Sequence, residues 1–315
     1  GDVKSANNFW NLLILKLKNY RITNKTLANS KISDLLGVYY YTQINSNFST
    51  GDAAIGVNVT VDFINDITKE LADKRNLEAI IYQASENAYF LNDAQSLQTY
   101  YDGSKKINSS RGEFTSKAYL LLLDKKYDEA IVLLNNVAEN GAGFMMSKDV
   151  ARFILPLAYH LKGDYQNMSK SIDKASKSLL VSDRTMSNYF GLRALYNKDY
   201  QKAIDFFTEA MKPVRFLSVS VERPGKFRFY TNRAEAYIGL NDYANAKKDL
   251  EAALVYNPDY QPALEGLAKL EGNQIVARKT DKTGPEIKIL EPTNMRGLKV
   301  VTAGNDLMIK GLAAD

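Results

Sequence analysis

The 315-residue chain has no cysteine, one histidine, one tryptophan and seven prolines. The missing thiols remove disulfides, thiolate nucleophiles and cysteine metal sites together. Zinc needs several His or Cys ligands, so His160 alone cannot hold it. A Ser-His-Asp triad would need His160 beside a nucleophile, and no nucleophile elbow lies near it. Neither G-x-x-x-x-G-K-[ST] nor G-x-G-x-x-G occurs. The stretch DKTG at 281–284 lacks the acids of a calcium loop. No stretch singles out a carboxylate pair for glycoside hydrolysis. We therefore expect no catalytic residue, no metal, no cofactor and no enzyme activity. Long apolar runs are also absent. The longest cluster, Phe9 to Leu17, is broken by Asn11 and Lys16 and falls short of the ~18–20 residues of a membrane span.

The residues that are present describe a chain able to bury a core: 45% are apolar and 24% charged. The formal net charge is +5, but lysines alternate with acids, as in DKKYDEA (124–130) and NDYANAKKDLE (241–251). That pattern is a solvated helical surface, and nucleic acid is not an expected partner, since it would want basic clusters on one face. The chain starts at Gly1-Asp2 without a methionine, which reads as a processed end. A removed export signal, with a membrane tether, goes with that reading. It leads to an extracytoplasmic expectation, periplasm or outer membrane, with the cytoplasm as the alternative.

Four stretches align with one another: DKKYDEAIVLL (124–134), KGDYQNMSKSI (162–172), NKDYQKAIDFF (197–207) and LNDYANAKKDL (240–250). Each has a turn, a tyrosine (Tyr127, Tyr165, Tyr200, Tyr243), a small or flexible residue three positions on, and a bulky apolar residue four after that. The tyrosines are separated by 38, 35 and 43 residues. Around the last, Ala234 and Tyr237 precede the turn, Ala246 and Leu250 follow it, and Pro258 closes the unit. Gly191, Ala203 and Phe207 fill the same places one unit earlier, and Ala118, Ala130 and Leu134 further upstream. Small residues let antiparallel helices approach at a crossing point, and large residues at i+3 and i+4 fill the seam beside it. Asn257, before a proline, is biased out of the helical region, so the second helix stops there.

This stretch resembles the tetratricopeptide repeat, a helix–turn–helix unit of 34 residues. The resemblance covers 76–276, with units at 227–260, 184–217, 111–144 and 149–182 and a further one within 80–104, where Leu97 and Tyr101 take the A-x3-F places. The 149–182 unit departs most, with Pro156 and Met168 where small residues belong, so its helix is expected to bend. The fold class is thus mainly α, an α-solenoid of helix–turn–helix repeats with a short C-terminal β segment.

Residues 1–75 form an N-terminal helical region. NNFWNLLILKLKNY carries a stripe of Phe9, Leu12, Leu13, Leu17 and Tyr20, read as a first solenoid helix capping the array, with a membrane-surface helix as the alternative. GDAAIGVNVTVDFINDITKELADK is read as a helix with Val61, Ile64, Ile67 and Leu71 on one side. Residues 277–286 are a polar linker. Residues 287–315 contain short strand-like runs and look like the start of an Ig-like β module of bacterial envelope proteins. Some proteins of that kind continue into caspase-like peptidase domains.

The resemblance implies a concave surface lined by the first helices. Its expected lining is Arg228, Thr231, Glu235 and Ile238 on one unit, then Thr185, Asn188, Leu192 and Leu195, then Phe153, Leu157 and His160, then Thr115, Tyr119 and Leu122. Thr231, Glu235, Asn188 and Leu192 stand where some family members place the Lys/Asn clamp for a C-terminal carboxylate, so a chaperone-tail receptor is not expected. The insertion PVRFLSVSVERPGKFRFY (213–230) accounts for the 43-residue spacing. It places Arg215, Arg223 and Lys226 together as a basic loop, read either as an acidic-peptide contact or as a solvated hairpin connection. The leading functional reading is a non-enzymatic scaffold that binds a protein or peptide partner. The alternatives are a regulatory or targeting segment of a larger envelope enzyme, and a glycan-binding helical-repeat protein.

Overall fold

The computed structural model describes residues 3–23, 29–50, 52–140, 145–177, 183–212, 214–216, 219–221, 225–271, 301–303 and 306–308. Fourteen helices are found among them: Val3–Thr23 (α1), Asn29–Thr50 (α2), Ala53–Thr68 (α3), Leu77–Phe90 (α4), Ala94–Lys106 (α5), Ser110–Leu123 (α6), Tyr127–Asn140 (α7), Met145–Lys162 (α8), Tyr165–Ala175 (α9), Asp183–Tyr196 (α10), Tyr200–Met211 (α11), Lys226–Gly239 (α12), Tyr243–Tyr256 (α13) and Gln261–Glu271 (α14). Two three-residue strands, Val214–Phe216 (β1) and Val219–Val221 (β2), pair antiparallel in the insertion between α11 and α12.

The repeated tyrosines fall at helix starts. Tyr127, Tyr165, Tyr200 and Tyr243 are the first residues of α7, α9, α11 and α13. Each preceding turn has one design. A residue of positive φ (Lys125, Gly163, Lys198, Asn241) ends the first helix, and the next N–H reaches back to a carbonyl five residues earlier. Asp164 N donates to Tyr159 O, Asp199 N to Ala194 O and Asp242 N to Tyr237 O, each at 2.9 Å. This is the Schellman closure. The same aspartates cap the second helix, accepting from the N–H of Asn167, Lys202 and Asn245. Asn92 and Asp93 repeat the arrangement between α4 and α5. The motif read as "turn, then tyrosine" is therefore a left-handed residue, an N-cap and the first helical position.

The small residues sit at the crossings. Ala118, Ala130, Ala203, Ala234, Ala246 and Ala253 are fully buried. A Cβ on Gly191 would lie 2.5 Å from the Phe207 ring, itself fully buried, so that crossing admits only hydrogen. In the 149–182 unit, α8 continues as a helix through Pro156 and Met168 is fully buried. In α5 the expected Leu97 is buried, but Tyr100 fills the core beside it and Tyr101 is only half-buried.

Residues 1–274 form one compact unit. A continuous core runs from Ile14 in α1 to Ala236 in α12 without a break near residue 75, and a smaller cluster joins Phe227, Ala234, Ala246, Leu250, Ala253 and Ala263. The N-terminal helices exist as read, with one correction. Of the expected α1 stripe, Phe9, Leu12 and Tyr20 are exposed by 60%, 52% and 51%, whereas Ile14 is buried. Apolar residues occur on nearly every side of this helix, so periodicity alone does not choose the inner one. In α3, Ile64 and Ile67 are buried as read, while Phe63 and Asp66 are the further core residues.

Residues 275–315 form the second unit. Its described part is a pair of three-residue strands, Val301–Ala303 (β3) and Asp306–Met308 (β4). Pairs this short do not establish the β module read over 287–315, and the remainder of that span lies outside the described residues.

Candidate functional site

The first helices of the hairpins, α4, α6, α8, α10 and α12, lie on the inside of the curve. Tyr82 of α4 meets Phe153 of α8 at 5.8 Å between ring centroids, and Phe153 meets Tyr189 of α10 at 5.4 Å. Phe90, the last residue of α4, lies under the Arg228 guanidinium of α12 at 4.5 Å. A Cβ on Gly225, the left-handed N-cap of α12, would touch the same ring at 3.2 Å. Helices 135 residues apart in sequence thus meet, so the array winds tightly enough to fill most of its own inner face.

That filling sorts the expected lining into two groups. Tyr119, Phe153, Leu157, Asn188 and Leu192 are buried, as are Thr115 and Leu122. These residues close the superhelix on itself: Tyr119 packs on Tyr89 at 5.3 Å, and Asn188 Oδ1 accepts from Asn232 Nδ2 at 3.2 Å. Arg228, Thr231, Ile238 and His160 are half-buried, and Glu235 is exposed. The accessible inner surface is therefore the C-terminal end of the array, α12 to α14. Of the basic loop, Lys226 is buried at the start of α12 with its ammonium 5.7 Å from the Tyr256 ring centroid. The side chains of Arg215 and Arg223, like that of Thr185, lie outside the described residues.

Arg228 is the electrostatic centre. Burial raises the pKa of Tyr89, Tyr119, Tyr189 and Tyr260, and in all four the Arg228 charge opposes the rise. Burial, reinforced by Arg228, pushes His160 down to about 4, so it is neutral at physiological pH. His160 Nδ1 is buried with no hydrogen-bond partner. Glu235 lies on the same surface. Solvent reaches it, yet the surrounding wall raises its pKa by desolvation, partly offset by Lys269 of α14. A carboxylate both accessible and desolvated marks the floor of a concavity. Behind it, Arg233 holds Asp249 through two bonds of 2.7 Å that fasten α12 to α13.

Sequence reasoning missed Glu86, Tyr89, Phe90, Tyr189, Tyr260 and Lys269. Tyr189 adjoins the predicted Asn188 and was one helical position away. Nothing local connects Phe90 with Arg228; only the superhelical closure does. Among the described residues there is no group of three or more His, Cys, Asp or Glu placed to hold a metal ion, and no helix is long and apolar enough to cross a membrane.

Residues 227–260 match the family model of the tetratricopeptide repeat, over the α12–α13 hairpin and the turn after it. The chain is 35% identical over 101 residues to small glutamine-rich tetratricopeptide repeat-containing protein 2 of Saccharomyces cerevisiae, covering 31% of this chain and 26% of that protein. It is 34% identical over 100 residues to the heat-shock protein cognate co-chaperone sgt12 of Aspergillus fumigatus, covering 31% and 26%. The match thus spans about a quarter of the length of these curated relatives. Among solved structures, the APC/C hetero-tetramer Cut9-Hcn1 is similar over 74% of this chain and 42% of its own, with a TM-score of 0.51 and 18% identity. That likeness shows the fold, a helical array of the same kind. The Ig-like resemblance has no counterpart in these comparisons.

Proposed function

We propose that the chain is a non-catalytic scaffold that holds a protein or peptide segment on the inner surface between α12 and α14. The observation that carries this reading is Glu235, solvent-accessible and yet desolvated, placed between the cations Arg228 and Lys269. Such a floor offers a segment both charge partners and a dry wall, the Phe90–Tyr260 side. The tetratricopeptide match over 227–260 and the co-chaperone among the relatives support a protein-binding role. The buried lining from α6 to α10 fixes the curvature and takes no part in contact. The test is a pull-down with the full chain and with Arg228→Glu and Glu235→Arg, each checked for an unchanged melting curve. The expected result is a partner retained by the native chain and lost by both variants. An identical set of captured proteins from folded variants would remove this surface from consideration.

A further inference from the structure

Helix α1 is oriented against the usual pattern. Its inner side is fastened largely by polar groups. Asn7 and Asn47 exchange amide hydrogen bonds of 2.8 and 2.9 Å, Gln43 donates to Asn11 at 2.8 Å, Arg21 donates to Ser33 at 2.6 Å, and Lys18 pairs with the buried Asp66 at 2.8 Å. Only Trp10, Ile14 and Leu17 add apolar contacts on that side. The outer side is where the large apolar residues stand: Phe9, Leu12, Leu15, Tyr20 and Ile22 are each more than half exposed. Those five are about a third of the strongly exposed large apolar side chains among the described residues. A monomer seldom leaves such a row in water without an occupant.

The charges around the row decide between occupants. From Val3 to Thr23 there is no acid, while Lys4, Lys16, Lys18 and Arg21 supply four cations. Lys16 is exposed within the apolar row itself. A second copy packed two-fold on this side would set Lys16 near its own image. It would also have a single helix face with which to build an interface that ordinarily takes about 20–30 residues a side. An anionic surface meets neither objection. Lys16 would sit at its phosphates, aromatic Phe9 and Tyr20 at the interfacial depth, and Leu12, Leu15 and Ile22 below them. The polar bonds to α2 and α3 hold the helix parallel to such a surface without using its apolar side chains.

We propose that the outer face of α1 is an interfacial membrane-binding face for anionic lipid, lying on the bilayer without spanning it. The inference does not depend on the partner surface at α12–α14. The test is flotation of the full chain with vesicles of phosphatidylglycerol and phosphatidylcholine, and with phosphatidylcholine alone. The expected result is flotation with the anionic vesicles, weakened by high salt and by Lys16→Glu, and reduced about tenfold or more by the double variant Leu12→Gln/Leu15→Gln. Both leucines are exposed, so this variant should melt like the native chain. No flotation on anionic vesicles, or equal flotation of the folded double variant, overturns the proposal. Light scattering that shows a dimer abolished by the same double variant also overturns it, and gives the face to a second copy.

Discussion

In the α12–α13 hairpin the seam is made of absence: Ala234, Ala246 and Ala253 are fully buried, and the backbones approach because nothing larger stands between them. In α2–α3 the seam is made of bulk. Leu36, Tyr40, Ile44 and Phe48 face Phe63 and Ile64, and Tyr40 stacks on Phe63 with ring centroids 5.0 Å apart. The first hairpin is locked by a charged fork, Arg233 on Asp249. The second is locked by Asp66, which accepts from the Tyr40 hydroxyl and pairs with Lys18. Both are helical hairpins in one compact unit, yet only the first has a repeat signature. The difference teaches that the signature reports close backbone approach, one of two ways to join antiparallel helices.

The two seams should fail in opposite ways. Phe63→Ala removes a ring from a filled volume and should cost about 3–5 kcal/mol, whereas Ala246→Leu inserts bulk where there is no room and should cost about 1–3 kcal/mol. Urea unfolding followed by circular dichroism measures both, and the contrast breaks if Phe63→Ala proves the milder. A smaller effect tests the unit between them. His160 has a folded pKa of about 4 against about 6.5 unfolded. The unfolded chain therefore binds more protons in that window, and stability should fall as pH drops from about 6.5 towards 4. The loss is about 1–2 kcal/mol after allowance for partial exposure, and His160→Gln should flatten that limb. Equal slopes in the two proteins would show that His160 does not titrate as argued. The smallest effect concerns the turns that only the repeat hairpins share. Lys198 has φ 59°, costly for a side chain with a Cβ. Lys198→Gly should raise stability by about 0.5 kcal/mol, the relief of strain less the added freedom of the unfolded chain. A lower thermal midpoint would mean that the turn is not strained.

Much of the array was legible because its rules are local. Spacing located Ala203, Phe207, Ala246 and Leu250, and the turn-plus-tyrosine motif located four helix starts to the residue. The α1 phase was misread because the inner face is held by Asn7, Asn11 and Lys18, residues that a hydrophobicity pattern counts as outward. The candidate surface was half legible. Arg228 and Glu235 were named from helical spacing, but the burial of Tyr119, Phe153 and Leu192 depends on how tightly successive hairpins wind. That winding is the sum of many small packing angles, none of which any single unit records.

The turn before each second helix spans only a left-handed residue and an N-cap, with both flanking helices hydrogen-bonded through it. One added residue there would rotate the following helix by about 100° and turn its buried alanines outward. The link from α11 to α12 obeys no such geometry, and there the chain has accepted β1, β2 and the extra length between Tyr200 and Tyr243. Insertions and deletions in proteins built this way should accordingly accumulate between hairpins and be purged within them, which gives an engineer a place to graft new loops without disturbing the stack.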